Sequence, residues 1–165
     1  MARRSAEFGG LLAERGCDAA LVYGAERAGT AVPWLTGWPV TREAALVVRA
    51  GEAGVMWVCY DNHVPNARAM ARGVEVRAGG GSALAAALAW IQGRPGPVRR
   101  LGVIGPVPAR AGGALAAAAG DVVFLDGEYA RLRLVKSGEE VEWLRRGAAM
   151  SDDGCGRWPG RRVRG

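Results

Sequence analysis

Apolar residues recur along the chain at two spacings, one helical and one typical of strands. Phe8, Leu11 and Leu12 keep the helical spacing, so the sequence predicts an amphipathic helix over residues 3–15, with Gly16 as its stop. Short apolar or alternating runs bounded by turn residues predict strands instead. The predicted strands of this kind cover residues 18–24, 74–78, 100–106 and 121–127.

Two Val-rich runs within residues 44–60 flank the sequence RAGEAG, which predicts a β-hairpin. Three further helices are predicted over residues 61–73, 82–93 and 108–120. Asp61 and Asn62 are cap candidates for the first of these helices, and Ser82 is the expected N-cap of the second. This alternation predicts an α/β fold: a mixed β-sheet of about six strands flanked by helices, with parallel units and one antiparallel pair.

The formal net charge of +6 raises the question of nucleic-acid binding, but the distribution of the charge argues against it. Acids and arginines alternate along most of the chain, which is typical of an ordinary solvated surface and not of a basic binding face. The last nine residues contain no acid and four arginines, Arg157, Arg161, Arg162 and Arg164. We therefore expect no nucleic-acid partner.

Cysteine usage and hydropathy bear on the compartment. The three cysteines, Cys17, Cys59 and Cys155, form no C-x-x-C pair, and an odd count without such a pair fits a reducing cytoplasm. Glu7 and Glu14 interrupt the apolar core that a signal peptide would need. No apolar run reaches the ~18 residues that a membrane span requires. The sequence therefore predicts a cytoplasmic protein without a membrane partner.

The sequence PWLTGW places Trp34 and Trp38 around a Thr-Gly turn that contains Thr36. Such aromatics either cover the core or form an interface, and the pattern fits both interpretations equally. His63 is the only histidine, so a zinc site built from several histidines is excluded. It is either a loop residue that bonds the backbone or a contact that reaches into a site built largely by another part. No catalytic or metal-ligating residue is predicted.

The sequence AGGGSALAAAL places glycines before a predicted helix, as phosphate-binding loops do. It lacks the Lys-Ser/Thr pair of a P-loop and the G-x-G-x-x-G spacing of a dinucleotide site. We interpret it as a glycine loop followed by the Ser82 cap. A small α/β module that binds an anion remains an alternative.

The segment SGEE, from Ser137 to Glu140, has the form of a capping box, which predicts the start of a helix. Its apolar residues form two stripes, and a helix with two apolar stripes is expected to pack on two sides. One stripe is Val141, Leu144 and Ala148, and the other is Trp143, Gly147 and Met150.

The segment LRLVKSGEEVEWLRRGAAMSDDG resembles the junction found in the creatinase/prolidase/aminopeptidase P family of pita-bread metallopeptidases. In that family, a segment of the form R-x-x-K-S-x-E-E-hydrophobic joins the N-terminal domain to the first helix of the catalytic domain. PWLTGW is similar to the Y-L-T-G-F segment of the family, and the resemblance covers about residues 3–153. The junction residues that carry it include Lys136, Ser137, Glu140, Val141 and Leu144, with Trp143 on the same helix.

The resemblance implies a creatinase N-terminal, ribonuclease-H-like domain over residues 1–136 and a junction helix over residues 137–153. Catalysis and paired divalent metals belong to the other domain of the family, so we expect no cofactor in this chain. The N-terminal half of the family supports dimers and shapes the substrate entrance. The implied interface or entrance candidates are Trp34, Thr36, Trp38 and His63, and the implied partner is a second copy or a pita-bread catalytic domain.

After Gly154 the resemblance ends, and CGRWPGRRVRG has no apolar period. A disordered Arg/Gly-rich tail is expected over residues 154–165. We interpret the chain as a truncated or frame-shifted form of an Xaa-Pro peptidase or creatinase-like hydrolase that is inactive alone. Because the catalytic domain would then be missing, we expect the stripe of Trp143, Gly147 and Met150 to be exposed. The alternative within this family is half of a split metallopeptidase, complemented by a separate catalytic chain.

Overall fold

The computed structural model describes residues 2–26, 28–49 and 51–156. The chain divides into two compact units, Met1–Leu132 and Arg133–Gly165. The division falls a few residues before the boundary at residue 136 that the sequence suggests. Each unit is described separately below.

The first unit is built around a six-stranded mixed sheet with the strand order β4-β3-β2-β1-β5-β6. Helices lie along the chain between most of its strands, so the predicted α/β fold of about six strands is confirmed. The strands are β1 Ala19–Ala25, β2 Glu43–Arg49, β3 Gly54–Val58, β4 Val74–Ala78, β5 Arg100–Ile104 and β6 Asp121–Phe124.

The direction of β2 differs from the prediction of one antiparallel pair. β2 runs antiparallel to both β1 and β3, whereas the three remaining neighbouring pairs are parallel. Ala25 at the end of β1 pairs with Glu43 at the start of β2, so the long connection between them returns the chain to the same end of the sheet. A period of two in the sequence carries no information about strand direction, which is why the pattern could not show this second antiparallel pair.

Helices cover both faces of the sheet in the first unit. They are α1 Ala2–Glu14, α2 Ala31–Thr36, α3 Val64–Met70, α4 Ala83–Gln92, α5 Gly112–Ala118 and α6 Asp126–Leu132. Residues of α1, α2, α3 and α6 share one buried cluster with the sheet, and residues of α4 and α5 share the other. Ala20 and Val22 of β1 face the first cluster, and Leu21 faces the second. Burial on both faces explains why β1 reads as a continuous apolar run.

The structure confirms the predicted N-cap of α4 but not the predicted cap candidates of α3. Ser82 precedes α4, and its hydroxyl accepts a 3.2 Å hydrogen bond from the Ala85 amide, which confirms it as the N-cap. Asp61 and Asn62 are not caps, because a short 3-10 turn over Asp61–His63 comes first and His63 takes the N-cap position of α3. A proline in the first turn of α3 has no N–H, so that helix has fewer amides that need a cap.

The second unit contains one long helix, α7 Gly138–Gly156. Its predicted capping box is confirmed: the Glu140 carboxylate accepts a 2.8 Å hydrogen bond from the Ser137 amide, and the Ser137 hydroxyl accepts one of 3.1 Å from the Glu140 amide. The helix continues to Gly156, so the first residues of the predicted tail are helical. The rest of that tail, residues 157–165, lies outside the described residues.

Large apolar side chains of α7 are exposed. Trp143, Leu144 and Met150 expose 63%, 61% and 75% of their surfaces. The exposure expected for the stripe of Trp143 and Met150 is therefore found, and Leu144 of the other stripe is exposed as well. None of the described helices has the combination of length and apolar character that crossing a membrane demands.

Candidate interface site

The PWLTGW sequence forms α2 and the turn that ends it. Gly37 follows the helix with φ of 83°, a left-handed conformation that favours glycine, and its amide donates to the Pro33 carbonyl. Thr36 is fully buried, and its hydroxyl donates to the Val32 carbonyl at 2.8 Å. The same hydroxyl accepts a 3.1 Å hydrogen bond from the Trp38 amide. Thr36 therefore fixes the path of the chain out of the helix and contacts no solvent.

Both tryptophans of this segment are part of the core. Trp34 exposes 8% of its surface and Trp38 exposes 4%. Trp34 makes an edge contact with Tyr129, with ring centroids 5.7 Å apart, and the Arg4 guanidinium lies 5.5 Å from the Trp34 ring centroid. Arg4 also donates to the Trp34 carbonyl at 3.0 Å. The burial favours the core-cover interpretation of the two tryptophans over the interface interpretation.

His63 lies at the end of the 3-10 turn that follows β3, and its side chain is half-buried. Its Nδ1 is 3.0 Å from the Thr41 hydroxyl. Its ring meets the Tyr60 ring edge-on at a centroid distance of 5.4 Å and lies 6.3 Å from the Trp38 ring. These four residues, Trp38, Thr41, Tyr60 and His63, are called the His63 cluster below.

The His63 cluster brings together two of the candidates from the sequence, His63 and Trp38, but not Trp34, whose ring packs on Tyr129. Within the part of the chain that the structure describes, Nε2 of His63 makes no hydrogen bond. The Thr41 hydroxyl and the Tyr60 ring therefore orient an imidazole whose second nitrogen is left to donate or accept. This geometry suits a polar contact with another molecule.

Tyr60 and Thr41 are the two residues of the His63 cluster that the sequence analysis did not indicate. Tyr60 is 46% exposed, although it ends the apolar run that predicted the second hairpin strand. Because β3 ends at Val58, Tyr60 lies beyond the strand pairing. Its position directly before the polar sequence DNH was the sequence feature that could have indicated an exposed aromatic ring. Thr41 gave no signal, because it reaches His63 across 22 residues.

A carboxylate of the protein itself, that of Glu43, occupies the N-terminus of α4 directly after the glycine loop. One oxygen of the Glu43 carboxylate accepts hydrogen bonds from the Leu84 amide at 2.8 Å and from the Ser82 hydroxyl at 3.2 Å. A helix N-terminus attracts a phosphate through the same unpaired amides. Gly80 and Gly81 have φ of 57° and 94°, so glycines are needed here for the turn itself. The loop is thus accounted for without a bound phosphate.

The described residues contain neither a metal-binding cluster nor an activated thiol at Cys59. Among the described residues, no three His, Cys, Asp or Glu side chains lie together in a way that could hold a metal ion. The Cys59 thiol donates to the Gly81 carbonyl at 3.2 Å, and burial raises its pKa above the usual range, so the thiol stays protonated. The described residues therefore do not fit the paired divalent metals that the family resemblance implies for a catalytic domain.

Comparison with solved structures identifies the fold. The chain is similar to the N-terminal domain of the cytoplasmic peptidase PepQ from Mycobacterium tuberculosis H37Rv, with 24% identity and a TM-score of 0.58 over 76% of this chain and 94% of that one. It is also similar to a Corynebacterium diphtheriae N-terminal domain described as creatinase/prolidase-like, with 20% identity and a TM-score of 0.56 over 74% of this chain and 91% of that one. The fold is that of a creatinase/prolidase-like N-terminal domain.

A full-length prolidase, from Pyrococcus horikoshii OT3, shares 15% identity with this domain at a TM-score of 0.69, over 88% of this chain. The chain spans 39% of that prolidase and 36% of the Pyrococcus furiosus prolidase. No protein-family model matches the sequence, and no curated protein sequence matches it. At these identities the likeness concerns the fold.

Proposed function

We propose that this chain is the non-catalytic N-terminal domain of a metal-dependent Xaa-Pro peptidase or creatinase-like hydrolase that acts in the cytoplasm. The observation that supports this proposal is its match to isolated N-terminal domains of peptidases, which it covers almost completely, whereas it covers little more than a third of the full-length prolidases. The metals and the catalytic groups of such a hydrolase would belong to the part that the match leaves uncovered. We place no catalytic step on residues of this chain.

We further propose that the domain acts in oligomerisation and at the substrate entrance, through the His63 cluster. Tyr60 presents an exposed ring, and His63 presents an oriented imidazole without a partner on Nε2 among the described residues. Tyrosine is enriched in the cores of protein interfaces and among the few residues that carry most of the binding energy. The proposed partner is a second copy of the chain or a pita-bread catalytic domain.

The catalytic part of the proposal is tested by hydrolysis assays on the purified full chain. Incubation with an Xaa-Pro dipeptide and either Mn²⁺ or Co²⁺ should release no proline. Metal-dependent hydrolysis that co-elutes with the chain would contradict the non-catalytic assignment.

The interface part is tested by sedimentation velocity on Tyr60→Ala and His63→Ala. We expect self-association to weaken about tenfold in Tyr60→Ala, because an interface aromatic carries much of the binding energy. Phe124→Ala is the matched control, since Phe124 is 62% exposed at the edge strand β6, away from the His63 cluster. A wild-type monomer at all concentrations, or equal weakening by Phe124→Ala, would count against a self-association surface at the cluster.

The split-enzyme alternative is favoured by α7. Trp143, Leu144 and Met150 expose large apolar surfaces on one helix, and such surfaces mark interaction sites on soluble domains. A tagged chain should then co-purify with a separately encoded pita-bread domain, and Trp143→Lys should abolish the co-purification. The anion-binding alternative has no such support, because Glu43 already occupies the N-terminus of α4. Stabilisation by phosphate in a melting assay would be needed to restore it.

A further inference from the structure

A cavity of about 220 Å³ lies between α1, the β2–β3 turn and the segment that leads into β4. Its inner wall is apolar and belongs to the core. Phe8, Leu12, Leu35 and Leu46 line it and expose between 1% and 6% of their surfaces. An apolar cavity of roughly 150 Å³ holds a benzene molecule. The cavity is therefore large enough for one aromatic ring that carries a few further carbons, or for a short alkyl chain.

The mouth of the cavity carries an excess of positive charge. Arg49, Glu52 and Arg72 line it. Arg49 lies 3.8 Å from Glu52, and the other oxygen of Glu52 accepts a 2.6 Å hydrogen bond from Arg94. The Arg72 guanidinium makes no hydrogen bond or ion pair within the described ranges. One carboxylate is thus shared by two arginines, and the third arginine is left without an anion.

We propose that this cavity binds a small amphipathic carboxylate whose apolar group is about the size of a phenyl ring or a pentyl chain, as in 3-phenylpropionate or hexanoate. The apolar group occupies the space between Phe8 and Leu46, and the carboxylate lies at the mouth against Arg72. Guanidinium and carboxylate groups form paired, charge-assisted hydrogen bonds, which gives the acid its advantage over a neutral ligand. The proposal uses no residue of the His63 cluster, so it stands independently of the proposed function.

Gly9 offers a way to close the cavity without removing any existing contact. It lies within α1, it lines the cavity, and a Cβ built on it meets no atom within 4 Å. A leucine at this position therefore meets no steric clash at its Cβ, and we expect its side chain to fill the cavity that Gly9 lines. Leucine also suits a helix better than glycine does. Gly10 is the matched control. It too has nothing within 4 Å of its Cβ position, but it borders a different groove, beside Glu7 and Glu128.

The experiment is an NMR titration of the ¹⁵N-labelled full chain with 3-phenylpropionate and, separately, with hexanoate. We expect saturable shifts at the amides of Gly54, Gly73 and Val74, which line the cavity, with a Kd on the order of 1 mM or below. The neutral 3-phenylpropanamide should bind about tenfold more weakly, and propionate, whose two-carbon chain is too short to fill the cavity, should give no saturable shifts. If neither acid produces saturable shifts at these amides, the proposal is wrong.

Variants separate the apolar part of the site from the charged part. Gly9→Leu should abolish binding, whereas Gly10→Leu should bind as the wild type does. Arg72→Gln should weaken the acid about tenfold and leave the amide unchanged, and Arg72→Lys should recover part of the loss. Cooperative thermal unfolding, with a midpoint no lower than that of the wild type for the two glycine variants, shows that the variants are folded. Equal binding by the Gly9 and Gly10 variants would overturn the assignment to this cavity, and equal binding of acid and amide would overturn the role of Arg72.

Discussion

The Glu43 carboxylate accepts a 2.8 Å hydrogen bond from the backbone amide of Leu84, which lies 41 residues further along the chain. Glu43 begins the central strand β2, and Leu84 lies in the first turn of α4. A carboxylate at a helix N-terminus satisfies an unpaired amide and interacts favourably with the helix dipole. This one contact therefore caps α4 and fixes its start against the middle of the sheet.

Replacing Glu43 with alanine should lower the free energy of unfolding by about 1–2 kcal/mol, because a partly buried, charge-assisted hydrogen bond is lost and a helix amide is left unpaired. Glu43→Gln keeps an acceptor without the charge and should cost less. Urea unfolding measures both changes. Glu75→Ala is the control, since Glu75 is exposed and, among the described residues, forms an ion pair with Arg77 alone, so its loss should leave stability almost unchanged. Equal losses at the two positions would show that Glu43 acts only as a surface charge.

Asp18 should make stability depend on acid pH. Its carboxylate accepts hydrogen bonds from the Arg100 amide at 3.1 Å, the Arg99 guanidinium at 3.2 Å and the Arg99 amide at 2.8 Å, and these bonds lower the pKa of Asp18 below its usual range. A carboxyl whose pKa is lowered by folding stabilises the protein above its unfolded pKa, which is about 3.9 for aspartate. That stabilisation is lost as the pH falls through the lower pKa of the folded state.

The measurement is urea unfolding of wild type and Asp18→Asn between neutral and strongly acid pH. Wild type should be the more stable at neutral pH, and the two free energies should converge as Asp18 becomes protonated. Asp152→Asn serves as the control at neutral pH, because Asp152 lies exposed on α7 and its replacement should leave the free energy of unfolding almost unchanged. A constant gap between wild type and Asp18→Asn would mean that the carboxylate does not titrate differently in the folded state.

The sequence pattern predicted the elements of the fold because their causes are local. β1 and β5 are buried on both faces and therefore read as apolar runs, and Ser82 and the Ser137–Glu140 pair are caps that act within one helical turn. Local patterns of this kind need no knowledge of the neighbouring elements. The resemblance at the junction segment supplied the family of folds, which periodicity alone does not distinguish.

The sequence did not predict the contacts that join distant parts of the chain. The antiparallel pairing of β1 with β2 depends on how residues 26–42 return the chain, and no side-chain pattern records that. The Thr41–His63 contact and the burial of Trp34 and Trp38 likewise depend on tertiary packing. For the candidate site, the sequence found the histidine but not the threonine and the tyrosine that orient it.

Gly105 should tolerate no side chain. It follows β5 with φ of 107°, a conformation that L residues rarely adopt, and a Cβ there would overlap the Tyr23 carbonyl oxygen. Gly105→Ala should therefore cost more than about 3 kcal/mol of unfolding free energy, since the backbone of β1 has to move. Gly113→Ala, in α5, meets nothing within 4 Å and should instead stabilise by up to about 1 kcal/mol. Thermal and urea unfolding measure both changes. If the two variants shifted the free energy of unfolding in the same direction, the result would contradict the structure.

Ser137→Ala should loosen the first turn of α7 and leave the first unit intact. The variant removes the acceptor of the Glu140 amide, and losing a serine N-cap costs about 1 kcal/mol of helix stability. That loss corresponds to about fivefold faster exchange of first-turn amides such as Glu140 and Val141, measured by NMR hydrogen exchange.

Ser151→Ala is the matched control on the same helix. The Ser151 hydroxyl donates to the Gly147 carbonyl at 3.1 Å, a bond that does not support a helix, so its removal should leave exchange unchanged. If both serine variants increased the exchange rate equally, the change would reflect the stability of the whole helix. The capping box would then not be what stabilises its first turn.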